Sequence, residues 1–174
     1  MIFNQRSIEE IFDVILAVGR LVNRGDQAQG LVDTYRQGLD RARTRTADQS
    51  YRPRVYFEEW DEPIITGSQW VSELIAIAGG EDIFQDRSSA KASLGRGADW
   101  AEVVERQPEL MVASWCGKPL ERDVVQGRPG AQTVPALNNE QLHEMDPAII
   151  LQPGPAALTD GLATLESLIR PLAS

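Results

Sequence analysis

Two short segments carry the side chains best suited to chemistry. Glu58–Glu59–Trp60–Asp61–Glu62 sets four carboxylates around a tryptophan. Ser114–Trp115–Cys116–Gly117–Lys118 sets a second tryptophan beside a thiol and an ammonium group. An indole offers a flat apolar face with one N–H donor. The acids offer acceptors or a counter-charge, and Lys118 can meet an anionic group. Such a set suits a ligand held by stacking and a few polar contacts. Each segment also has a plainer reading: a solvated acidic loop around a partly buried tryptophan, and Cys116 as a small buried hydrophobe. A cysteine nucleophile needs a histidine base beside it. His143 is the only histidine, and no spacing places it near Cys116. Arg128, in Gly127–Arg128–Pro129–Gly130, is a further candidate set in what reads as a structural turn. One cysteine and one histidine exclude an intrachain disulfide and a zinc site of the usual kind.

These residues need elements to position them. Ser7 is a good N-cap, and Glu10 three residues later completes a capping box. Ile8, Ile11, Phe12, Ile15, Leu16 and Val22 then recur at helical spacing, which predicts a helix over 7–22. A second helix is predicted over 27–43, with an apolar face of Ala28, Leu31, Val32, Tyr35, Leu39 and Ala42. A polar linker, 44–53, leads into a different pattern. Val55–Tyr56–Phe57 and Leu110–Met111–Val112–Ala113 read as strands, the second buried on both faces. Thr133–Leu137 reads as a third, weaker strand. Helices are expected over 70–78, 98–107, 119–125 and 155–172. Strand and helix alternate, so residues 51–174 should form a parallel sheet flanked by helices, with Leu110–Ala113 central. Residues 1–50 should form a separate helical segment. Both tryptophan segments directly follow strands of one direction and should open on one edge of the sheet, where ligands of open parallel sheets sit.

Charge narrows the partners. The 174 residues carry a net charge of −9. Residues 1–50 are neutral, so the whole excess lies after position 50. A nucleic-acid binder needs the opposite balance. Met1–Arg6 lacks the basic and apolar regions of a signal peptide, which predicts a cytoplasmic chain if Met1 is the true start.

Together these segments resemble the helical-backbone (class III) periplasmic substrate-binding proteins, components of ABC importers for cobalamin and iron chelates. The likeness runs from Arg54 through Glu59–Trp60 to Gly79–Gly80–Glu81–Asp82–Ile83–Phe84. Ser114–Lys118, Arg128–Pro129–Gly130 and Leu151–Gln152–Pro153–Gly154–Pro155 look like the cobalamin-type branch. The helix pair at 7–43 resembles the end of an N-terminal lobe plus the helix that joins two lobes. The resemblance implies a binding protein, not an enzyme, placed in the periplasm, with no covalent cofactor and a cobalamin or iron chelate as ligand. Glu59, Trp60, Trp115, Lys118 and Arg128 would line one wall of its cleft. The family also docks a glutamate on arginines of the permease, and Glu102 is the nearby candidate, with Ala101 at the aligned position. Most of the N-terminal lobe would then be missing. Without it, the stripe Ile8, Ile11, Phe12 and Ile15 should seek cover, which predicts a homodimer through residues 8–15. The rival expectation is an interaction module that binds no small ligand.

Overall fold

A computed structural model describes residues 3–173. The first helix, α1 (Ile8–Leu21), starts where its cap residue predicts: the Ser7 hydroxyl accepts from the Glu10 amide. The returning contact goes one residue further back than a capping box requires, because the Glu10 carboxylate accepts from the Arg6 amide. Helix α2 (Gly25–Thr46) runs longer than expected, and α1 lies against it. The two helices cross closely at Gly19, where an added Cβ would sit 2.3 Å from the Ala28 Cβ.

A sheet follows, built on β1 (Arg54–Asp61) and β4 (Leu110–Ala113). These strands pair in parallel, Val55 against Leu110 through Glu58 against Ala113. Strand β5 (Leu142–Glu144) extends the sheet beyond β4, also in parallel. Strand β2 (Ile64–Thr66) folds back antiparallel onto β1, and the short β3 (Glu81–Asp82) pairs with the start of β1 in parallel. The path β2-β1-β4-β5 leaves Leu110–Ala113 interior, as its unbroken apolar run predicts. The sheet is therefore mostly parallel and flanked by helices.

The period of two sorts side chains onto two faces. Val55, Phe57, Leu110 and Val112 point into a core shared with α1, α2, α3 (Gln69–Ile77) and α9 (Leu162–Ile169). Tyr56, Met111, Ala113 and Leu142 point the other way, into a core with Phe84, Val103, Val125, Val134 and Trp115. The elements on that side are α4 (Gln85–Ser88), α5 (Trp100–Arg106), α6 (Arg122–Gln126) and α7 (Pro135–Asn138). The remaining short helix, α8 (Pro147–Ile150), follows β5. Among the described residues no helix is long and apolar enough to cross a membrane.

Several expectations are corrected. Thr133–Leu137 is not a strand: residues 131–133 form a 3-10 turn and α7 begins at Pro135. Proline has no N–H for a ladder and suits the first turn of a helix. The strand lies further on, at Leu142–Glu144. The helix expected over 119–125 starts only at Arg122, so Pro119 precedes it. The helix expected over 155–172 is present over that span, with a π-turn at Ala157–Gly161, α9, and a 3-10 turn at Arg170–Leu172.

The stripe expected to seek a partner is already covered. Ile8, Ile11 and Phe12 are 5%, 1% and 1% exposed, buried in the chain's own core with Ile15 packed at its margin. Helix α1 is also stitched to α3: the Glu73 carboxylate accepts from the Ile8 amide, and the Trp70 amide donates to the Arg6 carbonyl. The argument for a homodimer through residues 8–15 therefore loses its premise. Apolar side chains do remain exposed at Val18, Leu21, Val22 and Leu31, on the outer side of the α1–α2 pair.

Candidate functional site

The acidic segment is not a loop. Strand β1 continues through it to Asp61 and turns at Glu62–Pro63 into β2, with a register shift between Glu58 and Trp60. Such a bulge adds a residue to one strand and re-aims the side chains around it. Here it separates the fates of four neighbouring side chains.

Glu58 goes inward. It is fully buried, and every contact it makes is a donor. Its Oε2 accepts from the Tyr56 hydroxyl at 2.7 Å and Arg128 Nη1 at 2.6 Å. Its Oε1 accepts from Trp115 Nε1 at 3.0 Å and Arg128 Nη2 at 3.1 Å. A carboxylate taken this far out of water needs such a full set of partners. Burial, with the Glu58 charge next to it, pushes the Tyr56 phenol well above its ordinary value, so it stays a donor. Arg128 lies over the Trp100 ring at 4.9 Å, and the Trp100 indole donates to the Pro129 carbonyl.

Glu59, the bulged residue, is held by Arg96, whose Nη1 lies 2.5 Å from Oε2. Arg96 is itself buried and also donates to the Thr66 carbonyl. Asp61 is 9% exposed and pairs with Lys118 at 2.7 Å. Trp60 stays half-buried and donates its indole N–H to the Glu62 carbonyl.

The two tryptophans meet at Lys118. Its Nζ lies 5.0 Å from the centre of the Trp60 ring and 4.8 Å from that of Trp115, within the reach of cation–π attraction. Beside them opens a concavity of about 460 Å³ lined by Trp115, Gly117, Lys118, Pro119, Glu144, Asp146 and Pro147. It sits where β4 and β5 end, the position expected of a ligand pocket in a parallel sheet. A second cavity, of about 200 Å³ between α2 and α9, is lined by Arg45, Thr46, Glu166 and Arg170 among others and has no aromatic wall.

Of the five expected wall residues, Trp60, Trp115 and Lys118 come together. Glu59 and Arg128 face other groups of the protein, as partners of Arg96 and Glu58. Arg128 reaches Glu58, near the carboxyl end of β1. Sequence reasoning missed Glu144 and Asp146, since the first ends and the second follows a strand that had been assigned to other residues. It also missed Glu58 as a hub. The signal was its place two residues after Tyr56, on the same face of a strand buried on both sides. Cys116, expected to be buried, is exposed. The His143 ring pairs with the Gln141 side chain.

Glu102 is occupied at two points. It completes the capping box of α5 with Asp99, and it pairs with Arg87 at 2.8 Å. The Arg87 hydrogen bond holds its carboxyl at about 2, below the ordinary 4.5. A depressed folded-state pKa stabilises above about pH 4.5, and that stability is lost as pH falls toward 2. The side chain is 35% exposed, so water screens the pair and the contribution is about 1 kcal/mol or less. Glu102→Gln is therefore expected to lower stability slightly at pH 7 and to flatten the loss between pH 4.5 and 2. Urea titrations across that range check this, and an unchanged acid limb would refute it.

The family described as Periplasmic binding protein matches residues 1–149. The chain belongs to that family. A vitamin B12-binding protein of Vibrio cholerae is 27% identical over 159 residues, covering 88% of this chain and 53% of its own. Among solved structures, an ABC transporter substrate-binding protein from Listeria monocytogenes EGD-e superposes with a TM-score of 0.80 at 15% identity, over 95% of this chain and 66% of that one. The periplasmic vitamin B12 binding protein BtuF of Vibrio cholerae gives 0.71 at 22% identity, over 98% and 64%. The periplasmic heme-binding protein RhuT from Roseiflexus sp. RS-1 gives 0.75 at 19% identity, over 95% and 65%. At these identities the structural likeness speaks for the fold. The chain spans about half the length of the curated relatives it matches.

Proposed function

We propose that this chain is the carboxyl-terminal lobe, with its leading helices, of a solute-binding protein that delivers a metal chelate, cobalamin or an iron chelate, to an ABC importer. It performs no catalysis in this reading. Residues 1–50 supply the helices that join lobes, and residues 51–174 supply one wall of the cleft. The observation that carries the proposal is the pair of tryptophans around Lys118 beside an open concavity at the strand ends, in a member of a binding-protein family. Trp115 is itself 2% exposed, so the half-buried Trp60 supplies the indole face that a flat macrocycle or an aromatic chelate would cover.

One wall gives only part of a cleft. A ligand held from one side forgoes much of the 70–90% burial usual for a small-molecule site. The 174-residue chain should therefore bind a corrinoid or ferric chelate with a Kd of roughly 0.1–1 mM. Trp60→Ala should weaken that binding by about 3- to 10-fold while the fold persists, since a stacking face worth about 0.5–1.5 kcal/mol is lost. Calorimetry with a panel of corrinoids and ferric chelates is the test. Nanomolar binding by this chain alone would defeat the one-wall argument, and no binding to any chelate would defeat the proposed function.

A further inference from the structure

Four ionisable side chains stand at the concavity: Lys118, Glu144 and Asp146 line it, and Asp61 touches it through Lys118. Lys118 is the only cation among the lining residues. It is already engaged, by the Asp61 carboxylate at 2.7 Å and by two indole faces. A lysine so held has little to offer an incoming anion. Asp61 is mostly buried, so water does little to weaken its hold. Its other oxygen, Oδ1, is buried without a hydrogen-bond partner.

The carboxylates facing the concavity have no cation to answer them. Glu144 and Asp146 are both exposed. Glu144 accepts one hydrogen bond, from the Leu120 amide, and Asp146 one, from the Ala148 amide. Among the described residues neither has an ion pair. A carboxylate has room for about four hydrogen bonds, so both keep free acceptor positions toward the concavity.

We infer that Asp61, by neutralising Lys118, makes this wall select ligands that present N–H donors or positive charge and reject ligands that present carboxylates. The inference rests on the function proposed above and narrows its ligand to chelates with carboxamide or cationic peripheries. An amide-bearing ligand can donate to Glu144 and Asp146. A carboxylate-bearing one brings like charge to the same oxygens and meets a lysine that is already paired. Like-charge juxtaposition is the part of recognition that turns partners away.

The test uses the chain with its tryptophans labelled with ¹⁵N. The indole N–H signals are followed during titration with two cobalt(III) corrinoids that share the same ring. One carries side-chain carboxamides, and in the other these have been hydrolysed to carboxylates. The native chain is expected to bind the carboxamide form at least about tenfold more tightly. Asp61→Asn frees Lys118 and should lower that ratio by about threefold or more. Glu144→Gln, on an exposed side chain, should lower it as well and leave the fold intact. It decides the matter if Asp61→Asn does not fold. Binding of both corrinoids with a native ratio near one would overturn the inference and leave the proposed function standing. So would a native preference that folded Asp61→Asn and Glu144→Gln both leave unchanged. If neither corrinoid moves an indole signal at millimolar concentration, the proposed function fails and the inference falls with it.

Discussion

Arg128→Ala is expected to cost about 3–5 kcal/mol of stability, because it strands the buried Glu58 carboxylate without its counter-charge. The pair is bidentate, with Arg128 only 12% exposed and Glu58 not at all. Among the described residues, removing the arginine leaves the Tyr56 hydroxyl and the Trp115 indole as the donors to a full negative charge inside the sheet. Replacing the pair together, as Glu58→Leu with Arg128→Met, should cost less than Arg128→Ala alone. Much of the single-variant penalty comes from the abandoned charge rather than from the lost attraction. Urea unfolding of both variants measures the difference. A loss under about 1 kcal/mol for Arg128→Ala would mean that water reaches Glu58.

Ile11→Glu is the second large effect. It places a carboxylate in a site 1% exposed among apolar side chains, with an expected loss of about 3–5 kcal/mol or undocking of α1. The sign of any change in association separates two pictures of this helix. If the stripe were the seam of a dimer, the variant would dissociate it. With the stripe inside the chain's own core, the variant should uncover Val32 and Trp70 and promote self-association. Tryptic cleavage at Arg24, in the turn between α1 and α2, should also accelerate. Light scattering that shows a dimer in the native chain and a monomer in the variant would refute the intrachain picture.

Much of the fold was legible because its signals are local. Ser7 marked the start of α1, the spacing of apolar residues marked α1 and α2, and the unbroken run at 110–113 marked the interior strand. The failures share a physical cause. Residues 133–137 have strand-like composition, yet Pro135 lacks the donor a ladder needs, while Leu142–Glu144 is a strand only because β4 offers it an edge. The fate of the acidic segment was out of reach for a similar reason. Which of its carboxylates faces inward depends on a bulge, and the bulge depends on pairing with β2, a strand of three residues. Trp60, Trp115 and Lys118 could be grouped because Trp60 lies at the end of one strand and the other two follow a strand parallel to it. The partners that occupy Glu59 and Arg128 lie 37 and 70 residues away in sequence, respectively, and no local pattern announces them.

The stitching of α1 and α2 to later parts of the chain bears on how the protein is made. Arg45 of α2 pairs with Glu166 of α9, 121 residues later, and the Gln5 side chain donates to the Pro153 carbonyl, 148 residues later. Val32 and Leu39 share their core with Leu165 and Ile169. During synthesis α1 and α2 leave the ribosome well before the α9 residues that share their core. At about 5–20 residues per second, the interval before α9 emerges is on the order of 6–24 s. That is long compared with helix formation and hydrophobic collapse. Through that interval the apolar face of the α1–α2 pair lacks its α9 partners, and a holdase that shields it should raise the yield of folded protein more than one acting after release.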